Sequence, residues 1–205
     1  MQIDNALIEI RGGHEIPILD GSAKRIFDLL AQVGRVDQGE PRRFFRVLKK
    51  VEFRKGPVSI TISPSDDFAV SFTLELPHYG QQRWDGIVTP NGFASEITFA
   101  RTYGLLKQIL VPLILGKMRL VPLLRGASLN NAVVIAGRGV LNRHGLRCPD
   151  EFVRHRVLDL VGDMMLAGAP LIGKVEAVCT GHIHNRTLLT QLFNTPDAWR
   201  EEFLE

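Results

Sequence analysis

The sequence is poor in several features that mark particular classes of protein. It has two cysteines, Cys148 and Cys179, too few and too far apart for a disulfide framework, so both are expected to be reduced thiols in a cytoplasmic protein. No C-x-x-C pair, no G-x-S-x-G nucleophile motif and no phosphate-binding glycine loop occurs in it. The N-terminus lacks the basic and apolar stretches of a signal peptide.

Long uncharged apolar runs are missing as well. The most apolar stretch, residues 103–126, is interrupted by four Lys or Arg residues and two prolines, and its longest uncharged run is Gln108–Gly116. A helix that spans a bilayer needs about 20 consecutive apolar residues. The stretch is therefore predicted not to span a membrane, and its composition fits either a core or a lipid-facing surface.

Charge is nearly balanced, with a formal net charge of +3 over 205 residues. This excess is too small to indicate nucleic-acid binding. Hydrophobic residues make up 45% of the chain and charged residues 23%, which is ordinary for a globular protein and does not indicate disorder.

After residue 43, strand-like runs dominate and a few stretches have helical character. The predicted strands are Phe44–Phe53, Val58–Ile62, Ala69–Leu76, Trp84–Val88, Ser128–Ile135, Gly139–Leu141 and Leu171–Val178. The predicted helices are Asp150–Leu166 and Asn185–Phe193, and Phe93–Ala100 is predicted to be either a helix or the segment that leads into one. Runs of strands with a few packed helices indicate an α+β fold.

The residues before this region predict a smaller unit. Two short apolar runs, Ala6–Ile10 and Glu15–Leu19, predict strands, and Ser22 is a suitable N-cap for a helix that extends to Ala31. The polar stretch 36–43 then predicts a linker.

We therefore expect three parts in the chain. Residues 1–35 are the C-terminal part of a first α+β domain, residues 36–43 are the linker, and residues 44–205 are a second α+β domain with an apolar insert at about 103–126. A unit of about 35 residues is too small to bury its own apolar faces, so another surface must cover it.

Three polar residues of the predicted helix 150–166 form one stripe. His155, Asp159 and Asp163 stand four residues apart, so they share a face of a largely apolar helix. Such polar groups need partners when they are buried. Either His155 and Asp159 bind a divalent metal, or they are a hydrogen-bonded pair that holds two elements together.

Three further segments carry residues that could do chemistry. The segment 180–185, with His182 and His184, follows a predicted strand and precedes a helix, which is a usual place for functional residues. The segment 100–104, with Thr102, lies at the start of the apolar stretch, and residues 19–22 predict a turn and helix cap.

Taken in order, several segments resemble the UDP-3-O-acyl-N-acetylglucosamine deacetylases of lipid A biosynthesis. They are IDNALIEI, EIPILDGSA, FARTYG, GASLNNAVV, VLNRHGLRCPDEFVRHRVLDLVGD, PLIG and TGHIHN, and they extend from Ile3 to Asn185. The pattern DEFVRH-x-x-x-D-x-x-x-D is highly specific. The resemblance implies two facing α+β domains, each a sheet with two helices, and a metal between them.

The resemblance also implies roles for individual residues. His155 and Asp159 are two of three ligands of zinc, or of iron, in a metal-assisted amide hydrolysis. His182 is the general acid, Asp163 orients it, and Thr102 stabilises the oxyanion. Substrate binding, to a UDP-sugar that carries an acyl chain, involves Arg156 and Tyr103, and the insert 103–126 lines the acyl-chain passage.

The sequence departs from the family pattern in three respects. The family's H-x-x-E-H motif, which supplies a third ligand and the general base, does not occur in these 205 residues. Arg156 stands where the family usually has Lys, and Asn130 where it usually has Asp. Three hypotheses follow: a fragment of a deacetylase, a split enzyme whose second polypeptide supplies the Glu-His motif, or a non-catalytic relative that binds a nucleotide sugar or an acyl chain.

Overall fold

The structure, a computed structural model, describes residues 1–12, 16–118 and 128–204. In chain order its helices and strands are α1 (Lys24–Val33), β1 (Arg42–Val47), β2 (Val51–Lys55), β3 (Val58–Ser63), β4 (Phe68–Leu76), β5 (Gly80–Ile87), α2 (Pro90–Gly92), β6 (Tyr103–Leu105), α3 (Leu106–Lys117), β7 (Val133–Ala136), β8 (Gly139–Val140), α4 (Glu151–Met164), β9 (Leu171–Val178), α5 (His182–Asn194) and β10 (Trp199–Leu204). A π-helical turn, Phe93–Ile97, extends α2, and a 3-10 turn, Met165–Ala167, ends α4.

The larger sheet is organised around β9. This strand pairs in parallel with β4 and antiparallel with β3, and its first residues pair in parallel with β1. β5 extends the sheet beside β4, β2 extends it beside β3, and β10 lies antiparallel to β1. Six of the eight residues of β9 are apolar or small and five are buried, as expected for a strand that is paired on both sides.

Two helices cover this sheet. α4 packs on β4 and β5, α5 packs on β2 and β3, and the two helices contact each other. The core between these layers is apolar, with Ile60, Phe72, Phe152, Leu160 and Leu188 almost fully buried. The layers of sheet and helix confirm the predicted α+β fold.

The smaller sheet carries the apolar insert. β6 pairs in parallel with β7, and β7 pairs antiparallel with β8. α3 follows β6 directly and packs on both β6 and β7. Within the described residues, no helix has the length and apolar character that crossing a bilayer requires. The predicted insert also includes residues 119–126, which lie outside the described part of the chain.

Several predicted elements differ from the structure. The predicted strands Ala6–Ile10 and Glu15–Leu19 are wrong for their described residues, which form neither strand nor helix, because no described strand pairs with them. The predicted strand Phe44–Phe53 is two strands, since the chain turns where the amides of Leu48 and Lys49 both donate to the carbonyl of Ala198. The predicted strand Ser128–Ile135 begins later, at β7, after a turn.

The predicted helix after Ser22 exists as α1, but it begins one residue later than an N-cap at Ser22 predicts, at Lys24, and it ends at Val33 instead of Ala31. The hydroxyl of Ser22 donates to the carboxylate of Asp20 at 3.0 Å and accepts from the amide of Lys24 at 3.4 Å. Irregular chain follows α1, and β1 begins at Arg42, inside the predicted linker 36–43. The division of the chain into two domains and a linker stays a prediction.

Candidate active site

The polar stripe predicted on the helix 150–166 lies on α4. The opposite side of this helix carries Val153, Val157 and Met164, which are almost fully buried in the core. That apolar side fixes the rotation of the helix, and it leaves His155, Asp159 and Asp163 on one other side. Because α-helices rise about 1.5 Å per residue, the stripe extends over roughly 12 Å.

His155 and Asp159 face each other at the first position of the stripe. The imidazole Nε2 of His155 lies 3.4 Å from Oδ1 of Asp159. Nδ1 of His155 lies 3.2 Å from the carbonyl oxygen of Ala100, and a carbonyl can only accept, so Nδ1 carries the proton and Nε2 presents a lone pair to the carboxylate.

Electrostatics favour that neutral imidazole. Burial lowers the pKa of His155 below its ordinary value, although the neighbouring Asp159 carboxylate acts in the opposite direction. Two electron-pair donors that face each other without a proton between them suit a cation. A metal-binding His also commonly donates its other ring nitrogen to a carbonyl, as His155 does. The donor chemistry of this pair therefore fits two ligands of a divalent metal.

The predicted substrate-binding residues lie beside this pair. The guanidinium of Arg156 donates to Oδ2 of Asp159 at 3.1 Å and to the hydroxyl of Tyr103 at 3.0 Å. It also lies over the Tyr103 ring, 5.5 Å from the centroid. Tyr103 in turn packs edge-on against Phe152, and burial raises the pKa of its hydroxyl. The structure thus brings four of the predicted site residues into one cluster.

A third metal ligand is missing from the described part of the chain. Across residues 1–12, 16–118 and 128–204, no group of three His, Cys, Asp or Glu side chains is arranged to hold a metal ion. A catalytic zinc ion normally has three protein ligands and an open position. His155 and Asp159 can therefore supply part of such a site.

Asp163 and His182 form a second pair farther along α4. Nδ1 of His182 lies 2.8 Å from Oδ2 of Asp163, and the side chain of His182 is 61% exposed. His182 is the first residue of α5 and lies three residues after Cys179, whose φ of 51° is left-handed. The bend at Cys179, directly after β9, turns the chain so that α5 starts beside the C-terminal half of α4.

Asn185 supports this pair, and the sequence analysis gave it no role. Its Nδ2 donates to Oδ2 of Asp163 at 2.8 Å, so Asp163 is held from two directions. Asn185 is almost fully buried, and its Oδ1 has no hydrogen-bond partner among the residues that the structure describes. Its place one turn after His182 on α5 is the sequence signal that could have identified it.

Thr102 is positioned by its backbone. Its amide donates to the carbonyl of Gly21 at 2.8 Å, and its carbonyl accepts from the amide of Val133 at 2.8 Å. The residues on either side of it contact α4, since Ala100 accepts from His155 and Tyr103 accepts from Arg156. The segment 100–103 therefore follows the N-terminal half of α4, beside the His155–Asp159 pair.

A buried ion pair also holds the segment 100–103 against the start of α4. Arg101 donates to both carboxylate oxygens of Glu151, at 2.8 and 2.9 Å, and the backbone amides of Arg101 and Arg147 also donate to Glu151. Burial alone would raise the pKa of Glu151, but these hydrogen bonds lower it below its ordinary value. Neither Glu151 nor Arg101 was among the site residues predicted from the sequence.

The same region holds the turn that precedes α1. Arg147 donates to Asp20 at 2.9 Å and to the carbonyl of Phe99 at 2.7 Å. Gly21 has a φ of +80° and lies so close to Asn131 that an added Cβ would stand 1.7 Å from its carbonyl oxygen. A glycine is therefore required where this turn contacts the site.

Comparison with known proteins agrees with this arrangement. The sequence model of the UDP-3-O-acyl N-acetylglycosamine deacetylases matches residues 1–194. The chain belongs to this family. The resemblance found in the sequence is thereby confirmed.

Individual relatives within the family are also similar over nearly the whole chain. UDP-3-O-acyl-N-acetylglucosamine deacetylases from Phenylobacterium zucineum, Oleidesulfovibrio alaskensis and Nitratidesulfovibrio vulgaris are 40%, 42% and 42% identical to it, over 97%, 92% and 98% of its residues. The chain spans 66%, 60% and 63% of the length of these relatives.

Proposed function

We propose that these residues form part of the active site of a metal-dependent amide hydrolase. The substrate is UDP-3-O-acyl-N-acetylglucosamine, and the reaction removes its acetyl group in lipid A biosynthesis. The proposal is supported above all by the facing Nε2 of His155 and Oδ1 of Asp159, 3.4 Å apart, on the same stripe as the His182–Asp163 pair. The relatives that carry this activity by name are similar over almost all of the chain.

His155 and Asp159 would hold the metal, which we expect to be zinc, with iron as the alternative. When bound, such an ion polarises a carbonyl and lowers the pKa of a water molecule. The third ligand and the general base of the family pattern are not among the described residues. The second polypeptide that the sequence analysis considered stays a prediction, as does the cytoplasmic location.

The protein groups around this pair have separate tasks in the proposed reaction. A water molecule adds to the acetyl carbonyl and gives one proton to the general base of the family pattern, while the hydroxyl of Thr102 donates a hydrogen bond to the carbonyl oxygen as negative charge develops there. The C–N bond then breaks, and Nε2 of His182 gives its proton to the departing amine, so that the products are acetate and a free amine. Asp163 holds Nδ1 of His182, which fixes the orientation of the ring.

Substrate binding is assigned to Arg156 and Tyr103. The guanidinium of Arg156 is the cation nearest to the His155–Asp159 pair and suits an anionic group of the substrate. Its contacts with Asp159 and Tyr103 hold it in place before the substrate binds.

The test separates metal binding from turnover. Zinc binding to the 205-residue chain is measured by calorimetry, and deacetylation of UDP-3-O-acyl-N-acetylglucosamine is measured with added zinc and with a second polypeptide that supplies the Glu-His motif of the family. We expect His155→Ala to abolish both, and His182→Ala to keep zinc bound while lowering kcat by about 10²–10⁴-fold. His144→Ala, at an exposed histidine outside the site, is the matched control and should change neither.

Two outcomes would contradict the proposal. If His155→Ala binds zinc as the unchanged chain does, the His155–Asp159 pair is not the metal site. If the chain binds the nucleotide sugar equally well without metal and releases no acetate, the alternative of a non-catalytic binding protein is favoured.

A further inference from the structure

The charges of the chain are distributed unevenly around the apolar insert. Residues 97–149 contain none of the 22 Asp and Glu residues but eight of the 25 Lys and Arg residues. The rest of the chain has more acidic than basic residues. A single segment of 53 residues therefore carries the positive charge of a nearly neutral protein.

The helix of this segment exposes an apolar stripe. Leu110, Val111, Ile114 and Met118 are 45–63% exposed, and their spacing of three, four and seven residues places them on one side of α3 and the turn after it. A helix that is apolar on all sides is normally buried. Within the described part of the chain, nothing covers this side.

The other side of α3 is already occupied. Ile109 packs so closely on Gly104 that an added Cβ would stand 2.7 Å from its side chain, and α3 packs on β6 and β7. The helix is thus held on the smaller sheet by one side while the stripe 110–118 points away from it. Rotation of α3 to hide the stripe would expose Ile109 instead.

Unpaired basic residues lie on the same helix and the same small sheet as the stripe. Lys107 is exposed one turn before it, and Arg138 and Arg143 are exposed in and after the β7–β8 hairpin of the same small sheet. Among the described residues these three form no ion pair. Most other exposed arginines in the part of the chain that the structure describes are paired, as Arg54 is with Glu52 and Arg200 with Glu202.

We propose that this surface, the stripe 110–118 together with the basic residues Lys107, Arg138 and Arg143, docks on a lipid bilayer that contains anionic phospholipids. Apolar side chains enter the boundary between headgroups and acyl chains, and the basic residues contact the phosphates. α3 has 12 residues, and such a helix is only about 18 Å long, so it lies in the interface and does not cross it. The inference goes beyond the proposed deacetylation and does not depend on it.

The charge of the segment 97–149 favours an anionic bilayer over a second copy of the chain as the partner of the stripe. A second copy of the chain would bring a second group of unpaired cations against the first, because the segment 97–149 has no acidic residue to pair with them. An anionic lipid surface combines an apolar layer with negative charge, and it therefore matches both features of this surface.

The experiment is flotation of the 205-residue chain with vesicles of phosphatidylcholine, alone or mixed with phosphatidylglycerol. We expect binding to the mixed vesicles that weakens in high salt. Ile114→Glu should lower the partition coefficient by more than about tenfold, because a buried apolar side chain becomes a charge near anionic lipid. Lys107→Gln should lower it about fivefold, since one basic residue near such a surface contributes about 1 kcal/mol.

A matched control variant and a variant that should bind vesicles more strongly distinguish a loss of membrane binding from misfolding. Leu166→Glu makes the same kind of change at an apolar residue that is 65% exposed on another element, and it should leave binding unchanged. Val111→Trp should strengthen binding, because Trp favours the membrane interface, and brominated lipid should quench the added fluorescence. Thermal unfolding of each variant shows that it is folded.

Three results would overturn the proposal. The first is that the chain does not float with vesicles that contain phosphatidylglycerol. The second is that Ile114→Glu and Leu166→Glu float equally well with these vesicles. In the third, the chain is a dimer in sedimentation velocity and Ile114→Glu makes it a monomer, which would show that a second copy covers the stripe.

Discussion

Two helices of similar apolar content have opposite environments. α1 carries Ile26, Leu29 and Val33, yet it has no buried residue in the described part of the chain. α4 buries Phe152, Val157 and Leu160 completely between the sheet and α5. An apolar helical face shows how much surface a helix can bury, whereas the neighbouring elements decide whether it does so.

The two regions also differ in how they are held. α4 is attached through a sheet, a second helix and the buried Glu151–Arg101 pair. The region before β1 contacts the site through the turn 20–22, by way of Arg147 and the amide of Thr102. Stability should therefore reside mainly in the region from β1 to β10, and the predictions below test this difference.

The largest expected difference in the free energy of unfolding is between variants that lack one member of an ion pair. Glu151→Ala leaves the guanidinium of Arg101 buried without its carboxylate, and we expect it to lower the free energy of unfolding by about 3–5 kcal/mol. Asp28→Ala removes the exposed partner of Lys24 on α1 and should cost about 0.5 kcal/mol or less. Urea unfolding of both variants makes the comparison, and equal losses would contradict it.

The Glu151–Arg101 pair also predicts that the free energy of unfolding depends on pH. The pKa of Glu151 is lower in the folded protein than its ordinary value of 4.5, so its contribution is fully present above about pH 4.5 and is lost as the pH falls through the lower folded value. Urea unfolding at a series of acidic pH values should therefore show a steeper loss of stability for the unchanged chain than for Glu151→Gln.

A matched pair of leucines compares the two helices directly. Leu160→Ala creates a cavity under α4 and should cost about 2–5 kcal/mol, because Leu160 is fully buried. Leu29→Ala, at a residue of α1 that is 59% exposed, should change the free energy of unfolding by less than about 0.5 kcal/mol. A large loss for Leu29→Ala would mean that α1 is covered in solution.

Local pattern was sufficient to predict much of the region from β1 to β10. β9 begins and ends where the sequence predicted, and α4 differs from its prediction by one or two residues, because periodicity and helix start signals act over a few residues. The stripe 155–159–163 follows from helical spacing alone. The strands predicted before α1 are wrong because pairing partners, unlike propensity, are not a local property.

The parts of the site that the sequence did not predict depend on distant residues. Glu151 and Arg101 are 50 positions apart, and no periodicity relates an arginine after a π-helical turn to the first residue of a helix. Asn185 lies 22 positions from Asp163, and its role became visible when α5 was placed beside α4. Such contacts are set by the packing of whole elements.

The smallest expected difference in stability between two compared variants tests the contact between the two regions. Gly21→Ala and Gly34→Ala both place a Cβ on a residue with a φ of +80°, but only at Gly21 does it meet another residue, Asn131. We expect Gly34→Ala to cost about 1 kcal/mol and Gly21→Ala about 2–3 kcal/mol. Urea unfolding measures both losses.

Hydrogen exchange at the amide of Thr102 shows whether the turn acts on the site. This amide donates to the carbonyl of Gly21, so its exchange should accelerate in Gly21→Ala and stay unchanged in Gly34→Ala. If so, the weakly buried region before β1 holds the residue to which we assign oxyanion stabilisation, and its few contacts matter for function more than for stability. If exchange at Thr102 is the same in both variants, its pairing with Val133 and the Arg101–Glu151 pair next to it are sufficient to hold it.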